Sequence, residues 1–481
     1  MNYKMTIFIL GKMLGVEGVL LLIPAVVSLI YGEKSGFSFV IVSAILFLIY
    51  LVLGRRAPEN QVIYGKEGLI IVGFAWIWWS LFGALPFLIS GCIPNYLDAF
   101  FETVSGFTTT GSTILKDIEA MPKGMLFWRG LTHWVGGMGV LVFVMMLTSL
   151  DDDNSMHLMR AEVPGPAAGK LVPKARSSAK ILYTIYMVLT AAQVVFLLLG
   201  GMSFYDALVH ALSVAGTGGF SSRNASISHY DSAYIDGVVT VFMILFGVNF
   251  NLYFLIRLRN WKAALKNEEL RVYIGLVLGS IAMITLNTLN IYQNIHHAFR
   301  YASFQVASVI TTTGFYNTNF ESWPQFSKML LLGLMAIGSC AGSTGGGMKV
   351  VRFLILMKSI RQEIKQMLHP KAVAIVRING KKVGREMVHS VYIYFICYIL
   401  ILMVSVLLVS INNFDFMTTF SAVISTLSNV GPGFVKVGPT ENFNNFSVLS
   451  KLVLCFDMLV GRLEIFPYLL LVSPDLWRRR F

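Results

Sequence analysis

Apolar residues gather along the chain into blocks separated by short polar stretches, at 5–31, 37–54, 67–90, 126–149, 180–201, 233–257, 272–292, 327–357, 390–411 and 449–472. A helix of about 20 apolar residues crosses a bilayer core. The pattern therefore predicts ten transmembrane spans. The first block lacks a small-residue cleavage site and reads as a retained helix. Four shorter apolar segments lie between spans, at 95–106, 204–214, 298–310 and 415–427. They are too brief to cross and suit re-entrant half-helices that enter and leave from one side.

Each short segment runs into a glycine-centred string: SGFTTTGS around Gly111, SVAGTGGF around Gly218, SVITTTGF around Gly314 and STLSNVGPGF around Gly431. These glycines stand 107, 96 and 117 residues apart. The last eight spans and the four short segments thus form four units of span, half-helix, loop and span. Two spans per unit give every unit the same orientation, a parallel repeat about the membrane normal. The expected fold is an all-α polytopic membrane protein, with four such repeats in pseudo-fourfold arrangement around one pore. Two extra N-terminal transmembrane helices (1–62) stand outside the pattern. The repeats are placed at 63–150, 151–260, 261–385 and 386–481.

Of the 481 residues, 56% are hydrophobic and 13% charged, and the mean hydropathy is +0.68. Soluble domains carry about 25% charged residues, so the bilayer is the solvent. The net charge of +13 does not call for nucleic acid. Its sources collect after the second, fourth, sixth and eighth spans: Arg55, Arg56 and Lys66; Arg160 to Lys180; Arg257 to Arg271; Lys358 to Arg385; and finally Arg478 to Arg480. All fall on one face, which the positive-inside rule makes cytoplasmic. Both termini are then cytoplasmic and the glycine loops open outward. Cys92, Cys340, Cys397 and Cys455 are scattered, which speaks against a disulfide framework or metal site. No HExxH, GxSxG or Asp/His cluster is present, so an enzyme is not expected. No GxxxxGK[ST] occurs, so no nucleotide or other organic cofactor is expected in this chain.

Non-helical backbone at membrane depth is tolerated only where it is buried or lines water. Glycine allows consecutive carbonyls to turn toward one axis, and rings of carbonyls can replace a cation's hydration shell. A half-helix ending at such a loop brings the negative end of its dipole. One TTTG string is an external turn; four in the same setting point to a cation pathway. The candidate ion-contacting residues are Thr109, Thr110 and Gly111; Gly216, Thr217 and Gly218; Thr312, Thr313 and Gly314; and Asn429, Val430 and Gly431.

With these loops, the strings WRGLTHWVGGMG at 128–139, GVNFN at 247–251 and GRLEI at 461–465 make the chain resemble the Trk/Ktr/HKT superfamily of potassium transporters. The two leading spans make it more similar to the TrkH branch. The resemblance implies K+ uptake across a bacterial inner membrane through a channel-like filter, with K+ held at the loop residues. It also implies a homodimer and a cytosolic, TrkA-like RCK regulatory subunit that binds adenine nucleotides and NAD(H). Symport of K+ with H+ or Na+ is the alternative. Potassium channels carry a second glycine two positions on; here Thr113, Phe220 and Tyr316 stand there, and only the fourth loop keeps one, Gly433. Looser discrimination against Na+ follows. The fourth loop, with Asn429, Val430 and Pro432, is expected to align its carbonyls least well.

GSCAGSTGGGMK at 338–349 interrupts the eighth span. So many glycines oppose a continuous helix, unless small residues serve close helix packing. The resemblance implies instead a gating loop beneath the filter, made of Gly338, Ser339, Gly342, Ser343, Thr344, Gly345, Gly346 and Gly347. Lys349 is expected to snorkel to the cytoplasmic side. Arg462 lies in apolar sequence and needs a partner or a cavity. Asp457 or Glu464 could pair with it for packing alone; the resemblance puts it on the pore axis as a barrier to cations. Asp98, Glu102 and Asp206 on the half-helices either concentrate cations at the mouth or cap helices and bond loop amides. His133 and His210 are expected to satisfy internal hydrogen bonds. The basic stretch from Lys358 to Arg385 is a docking surface or a loop facing anionic lipid.

Overall fold

The computed structural model describes residues 2–63, 65–139, 175–370 and 375–474. The expected basic segment from 160 to 174, the end of the fourth expected span and Arg478 to Arg480 lie outside the described residues. Among the described residues, six helices are long and apolar enough to cross a membrane: Tyr3–Ile30, Gly36–Gly54, Glu67–Ile89, Ser177–Leu199, Glu268–Tyr292 and Arg385–Asn412. Their outward faces carry large apolar side chains in the open, among them Leu48, Val52, Val188, Leu199, Leu278, Leu286, Leu400 and Leu407. Such a surface is stable against lipid, not water. Polar side chains point inward instead, and many of the fully buried ones are Ser and Thr of the half-helices and loops.

The two leading helices pack through small residues. A side chain at Gly11 would collide with Leu53 and Gly54, and one at Gly15 with the Tyr50 ring. The Ser43 hydroxyl donates across this seam to the Gly18 carbonyl at 2.8 Å. Close backbone approach of this kind replaces the hydrophobic drive that lipid removes.

The four short helices run Tyr96–Phe107, Phe204–Gly216, Ile295–Ile310 and Phe416–Leu427. Each starts at a residue whose side chain accepts a backbone N–H: Asn95, Ser203, Asn294 and Asp415. These caps fix the outer ends, and the buried C-terminal turns converge on the glycine loops.

The second helix of every unit stops early. These helices are Lys123–Gly137, Ala233–Phe246, Gln325–Ile337 and Val448–Arg462, of 15, 14, 13 and 15 residues. The break expected at 338–349 is present, and the small-residue packing of a continuous helix is not, because residues 338–349 are non-helical. The blocks 233–257 and 449–472, expected as single spans, are broken too. In the first, Phe250–Arg257 turns 90° from Ala233–Phe246. Asn249 makes this break by capping the new helix, its side chain accepting from Asn251 N at 2.9 Å. In the second, Glu464 and Ile465 take φ of 59° and 68° before Phe466–Val472 begins with Pro467 in its first turn, where a missing N–H does no harm. Two of the expected spans are thus broken in addition to the eighth: hydropathy reads the apolar content of a segment and is blind to a local break. A two-stranded antiparallel hairpin, Arg377–Ile378 with Lys381–Lys382, is the only sheet among the described residues.

Candidate ion-conduction site

The four glycine loops share one backbone. In each, the amide of the residue before the glycine donates to a serine carbonyl in the half-helix: Thr110 to Ser105 at 2.9 Å, Gly218 to Ser213 at 2.9 Å, Thr313 to Ser308 at 2.8 Å and Val430 to Ser425 at 2.8 Å. A trans peptide points its C=O opposite to its N–H. The carbonyls of Thr109, Thr217, Thr312 and Asn429 are thereby turned away from the helix ends. These four residues all sit in the left-handed region, with φ of 54°, 55°, 58° and 55°. For the β-branched threonines this is strained by about 1–3 kcal/mol each, a cost that persists where function requires it.

The glycines close the circle. Gly111, Gly219, Gly314 and Gly431 have φ of 83°, 79°, 82° and 102°. A side chain at Gly111 would strike the Gly218 carbonyl, at Gly219 the Thr313 carbonyl, at Gly314 the Val430 carbonyl and at Gly431 the Thr110 carbonyl. Each glycine thus faces the carbonyl oxygen of the next loop, in chain order and back to the start. The same four glycines line one cavity of about 130 Å³ on the outer side of the ring.

This geometry shifts the second loop by one residue from the sequence reading. Gly219, not Gly218, is the counterpart of Gly111, and Gly218 stands where Thr110 does. The residues two places on are then Thr113, Ser221, Tyr316 and Gly433. The serines carried the register: Ser105, Ser213, Ser308 and Ser425 each precede the ring glycine by the same interval. The fourth loop also departs from expectation. Its backbone follows the other three, and Asn429 ties it down by donating to Thr110 Oγ1 at 3.0 Å and to the Met458 carbonyl at 2.9 Å.

Side chains of the half-helices hold the outward limbs of the loops. Glu102 accepts from Ile114 N at 3.0 Å and from Arg129 Nε at 2.8 Å. His210 bonds the Asp206 carbonyl at 2.7 Å and Ser221 Oγ at 2.9 Å. Gln305 donates to Asn317 Oδ1 at 3.2 Å, and Ser421 Oγ accepts from Phe434 N at 2.9 Å. Asp206 takes Ser222 Oγ at 2.6 Å and Arg223 at 2.8 Å, while Asp98 pairs with Lys451 at 2.6 Å. Glu102 and Asp206 are therefore buried braces of the loops rather than an open acidic mouth. His210 meets its expected role. His133 does not: both ring nitrogens are buried without a hydrogen-bond partner.

Beneath the ring lies the 338–349 segment. Gly346 N donates to Thr312 Oγ1 at 2.6 Å. A side chain at Gly345 would press on the Thr311 carbonyl, and one at Gly346 on the Ser428 carbonyl. Inside the segment Ser339 and Ser343 bond each other at 2.7 Å, and its two ends fold together, Gly338 lying close against Gly347. The Thr344 hydroxyl and Gly342 carbonyl bond the second break, at the Phe246 carbonyl and Phe250 N, at 3.3 and 2.9 Å. Ala341 N donates to Glu269 at 2.7 Å. Arg462 donates to the Thr344 carbonyl at 2.7 Å and to those of Gly136 and Gly137 at 2.6 Å each. It thus joins the breaks of the first, third and fourth units. The acids considered as its partners are engaged elsewhere, Glu464 with Arg352 and Asp457 with Ser405 Oγ. Lys349 does not snorkel; it is buried and donates to the Gly345 carbonyl. The ammonium thereby satisfies a buried carbonyl that the irregular backbone leaves without a helical partner.

Known proteins are similar to this chain over nearly its whole length. The TrkH family profile, described as cation transport protein, matches residues 36–479. The Trk system potassium uptake protein TrkH of Salmonella typhimurium is 36% identical, over 99% of this chain and 100% of its own length. TrkI of Halomonas elongata, of the same system, is 30% identical over 96% and 95%. The crystal structure of the potassium transporter TrkH from Vibrio parahaemolyticus superimposes with a TM-score of 0.89 at 34% identity, covering 99% of this chain and 100% of that one. The chain belongs to the TrkH family of cation transport proteins.

Proposed function

We propose that the chain is a potassium uptake protein, whose ions pass through the ring of glycine loops as a selectivity filter. The observation that carries this is the closed circuit of four glycines with the carbonyls of Gly218, Thr313, Val430 and Thr110, the carbonyls of Thr109, Thr217, Thr312 and Asn429 being turned away from the helix ends. Such oxygens substitute for hydration water, and four half-helix C-termini make the site negative. The names of the relatives supply the ion. The backbone has one left-handed glycine per loop, which favours modest discrimination between K+ and Na+.

The segment at 338–349 and Arg462 act as the gate. The segment fills the space directly under two loops, and a cation leaving the ring inward meets the fixed positive charge of Arg462. Opening requires this packing to move, and control of it is assigned to a cytosolic RCK-type subunit binding adenine nucleotides or NAD. The exposed hairpin at Arg377–Lys382 and the exposed end of the helix Val350–Leu368 offer that subunit a basic surface. The protein works as a homodimer in a bacterial inner membrane, with one pathway per subunit, both termini cytoplasmic and the repeats bounded as the sequence divides them.

Isotope uptake into cells lacking potassium uptake, with Na+ and Rb+ as competitors, tests the reading. Growth at low K+ and inhibition by Rb+ are expected. Absence of both would end it. A reversal potential on the K+ Nernst line marks channel-like flow; a displaced one marks coupling to H+ or Na+.

A further inference from the structure

The second loop differs from its neighbours in what stands behind it. Loops one and three carry paired hydroxyls on their outer side, Thr108 with Thr110 at 2.8 Å and Thr311 with Thr313 at 2.7 Å. The second loop has Gly216 and Gly218 at those places. Neither glycine has a positive φ, so the backbone does not require them. Space does. A side chain at Gly218 would coincide with the His133 ring, and one at Gly216 with the His133 backbone.

His133 comes from the second helix of the first unit, Lys123–Gly137. Its ring is fully buried and packs edge-on against Phe220 at 4.1 Å between centroids. The Phe220 ring also receives the Arg129 guanidinium, 3.9 Å from the ring centre. The imidazole is wedged between the loop backbone and this stack, and its nitrogens make no hydrogen bond.

We propose that His133 is the missing side chain of the second filter loop, supplied by the neighbouring unit, and that its bulk sets ion preference. It fills the volume that threonine pairs fill behind loops one and three. By doing so it fixes how far the Thr217 and Gly218 carbonyls stand from the axis. His133 is a positioning residue: it does not touch the ion. The inference rests on the filter reading above.

The test is a cycle between positions 133 and 218, read as K+ over Na+ preference in flux by the full chain in proteoliposomes. His133→Ala leaves a void beside the loop and lowers the preference about tenfold, which is ~1.4 kcal/mol of discrimination. Gly218→Thr alone clashes with the ring and impairs uptake. The pair His133→Ala with Gly218→Thr restores one of the two threonines of the third-loop pattern and recovers most of the preference. His133→Phe keeps the shape, loses both nitrogens and holds the preference. Thermal stability of the purified variants is followed in parallel, and the double variant exceeds either single one. Three results overturn the proposal: unchanged preference in His133→Ala, a double variant no better than the singles, or His133→Phe behaving like His133→Ala. Gly314→Ser separates the two readings. If it changes ion preference while the His133 series does not, only this inference fails; if it changes nothing, the filter reading fails and takes the inference with it.

Discussion

The ring of loops and the layer of breaks beneath it are built from the same four units, yet they treat the repeat in opposite ways. In the ring, four loops with different side chains hold one backbone, to the same serine bond and the same pair of positive φ values. In the layer below, four helices end after 13 to 15 residues, but each break is made differently. One follows a Gly-Gly pair, one turns at a capping Asn, one inserts a folded segment and one places an arginine. In the proposed filter an ion at the axis meets four carbonyls at once, so coordination would demand equivalence. The proposed gate needs an element that moves and others that stay, so equivalence there would serve nothing.

Gly219→Ala is the largest test of the contrast. The new side chain is strained by its φ, by about 1–3 kcal/mol, and presses on the Thr313 carbonyl. Uptake is expected to fall about a hundredfold, two factors of ten at ~1.4 kcal/mol each. Removing His133 does not rescue it, because the fault lies in the φ and at the Thr313 carbonyl, not at the His133 ring. Near-normal uptake would restore Gly218 as the ring glycine.

Glu102→Gln comes next. It strands the buried Arg129 and weakens the bond to Ile114 N, an effect of about 3–5 kcal/mol for a broken buried pair. A lower melting temperature and poor accumulation in the membrane should follow. If the variant were as stable as the parent, the brace on the first loop would not matter.

Arg462→Ala sharpens the other side. Loss of the charge and of three carbonyl bonds should speed flux per molecule about tenfold, ~1.4 kcal/mol off the barrier, with ion preference unchanged. Slower or equal flux sinks the barrier role, and altered preference would mean that ring and gate are not separate. Glu269→Gln loosens the bonds that this carboxylate accepts, the one from Ala341 N among them, each about 1 kcal/mol, and should raise basal flux a few-fold in recordings without partner subunits. The smallest effect is expected of Glu119→Gln. Its contact with Arg223 is 3.9 Å long and half-exposed, worth under about 1 kcal/mol. Flux and stability should be indistinguishable from the parent, which calibrates the assays.

Hydropathy, glycine spacing and the basic loops were enough to determine a membrane protein with four parallel repeats, the loops that form the ring and the break at 338–349. These are legible because lipid, backbone hydrogen bonding and membrane potential act on composition and length, which a sequence displays directly. The partners were not legible. That Gly219 rather than Gly218 closes the circle depends on which glycine faces the Thr313 carbonyl, nearly a hundred positions away. That Glu102 braces a loop, that Lys349 stays inside and that Arg462 bridges three breaks depend on carbonyls left bare by irregular backbone. Those groups exist only once the units are packed together, so only the tertiary structure could assign them.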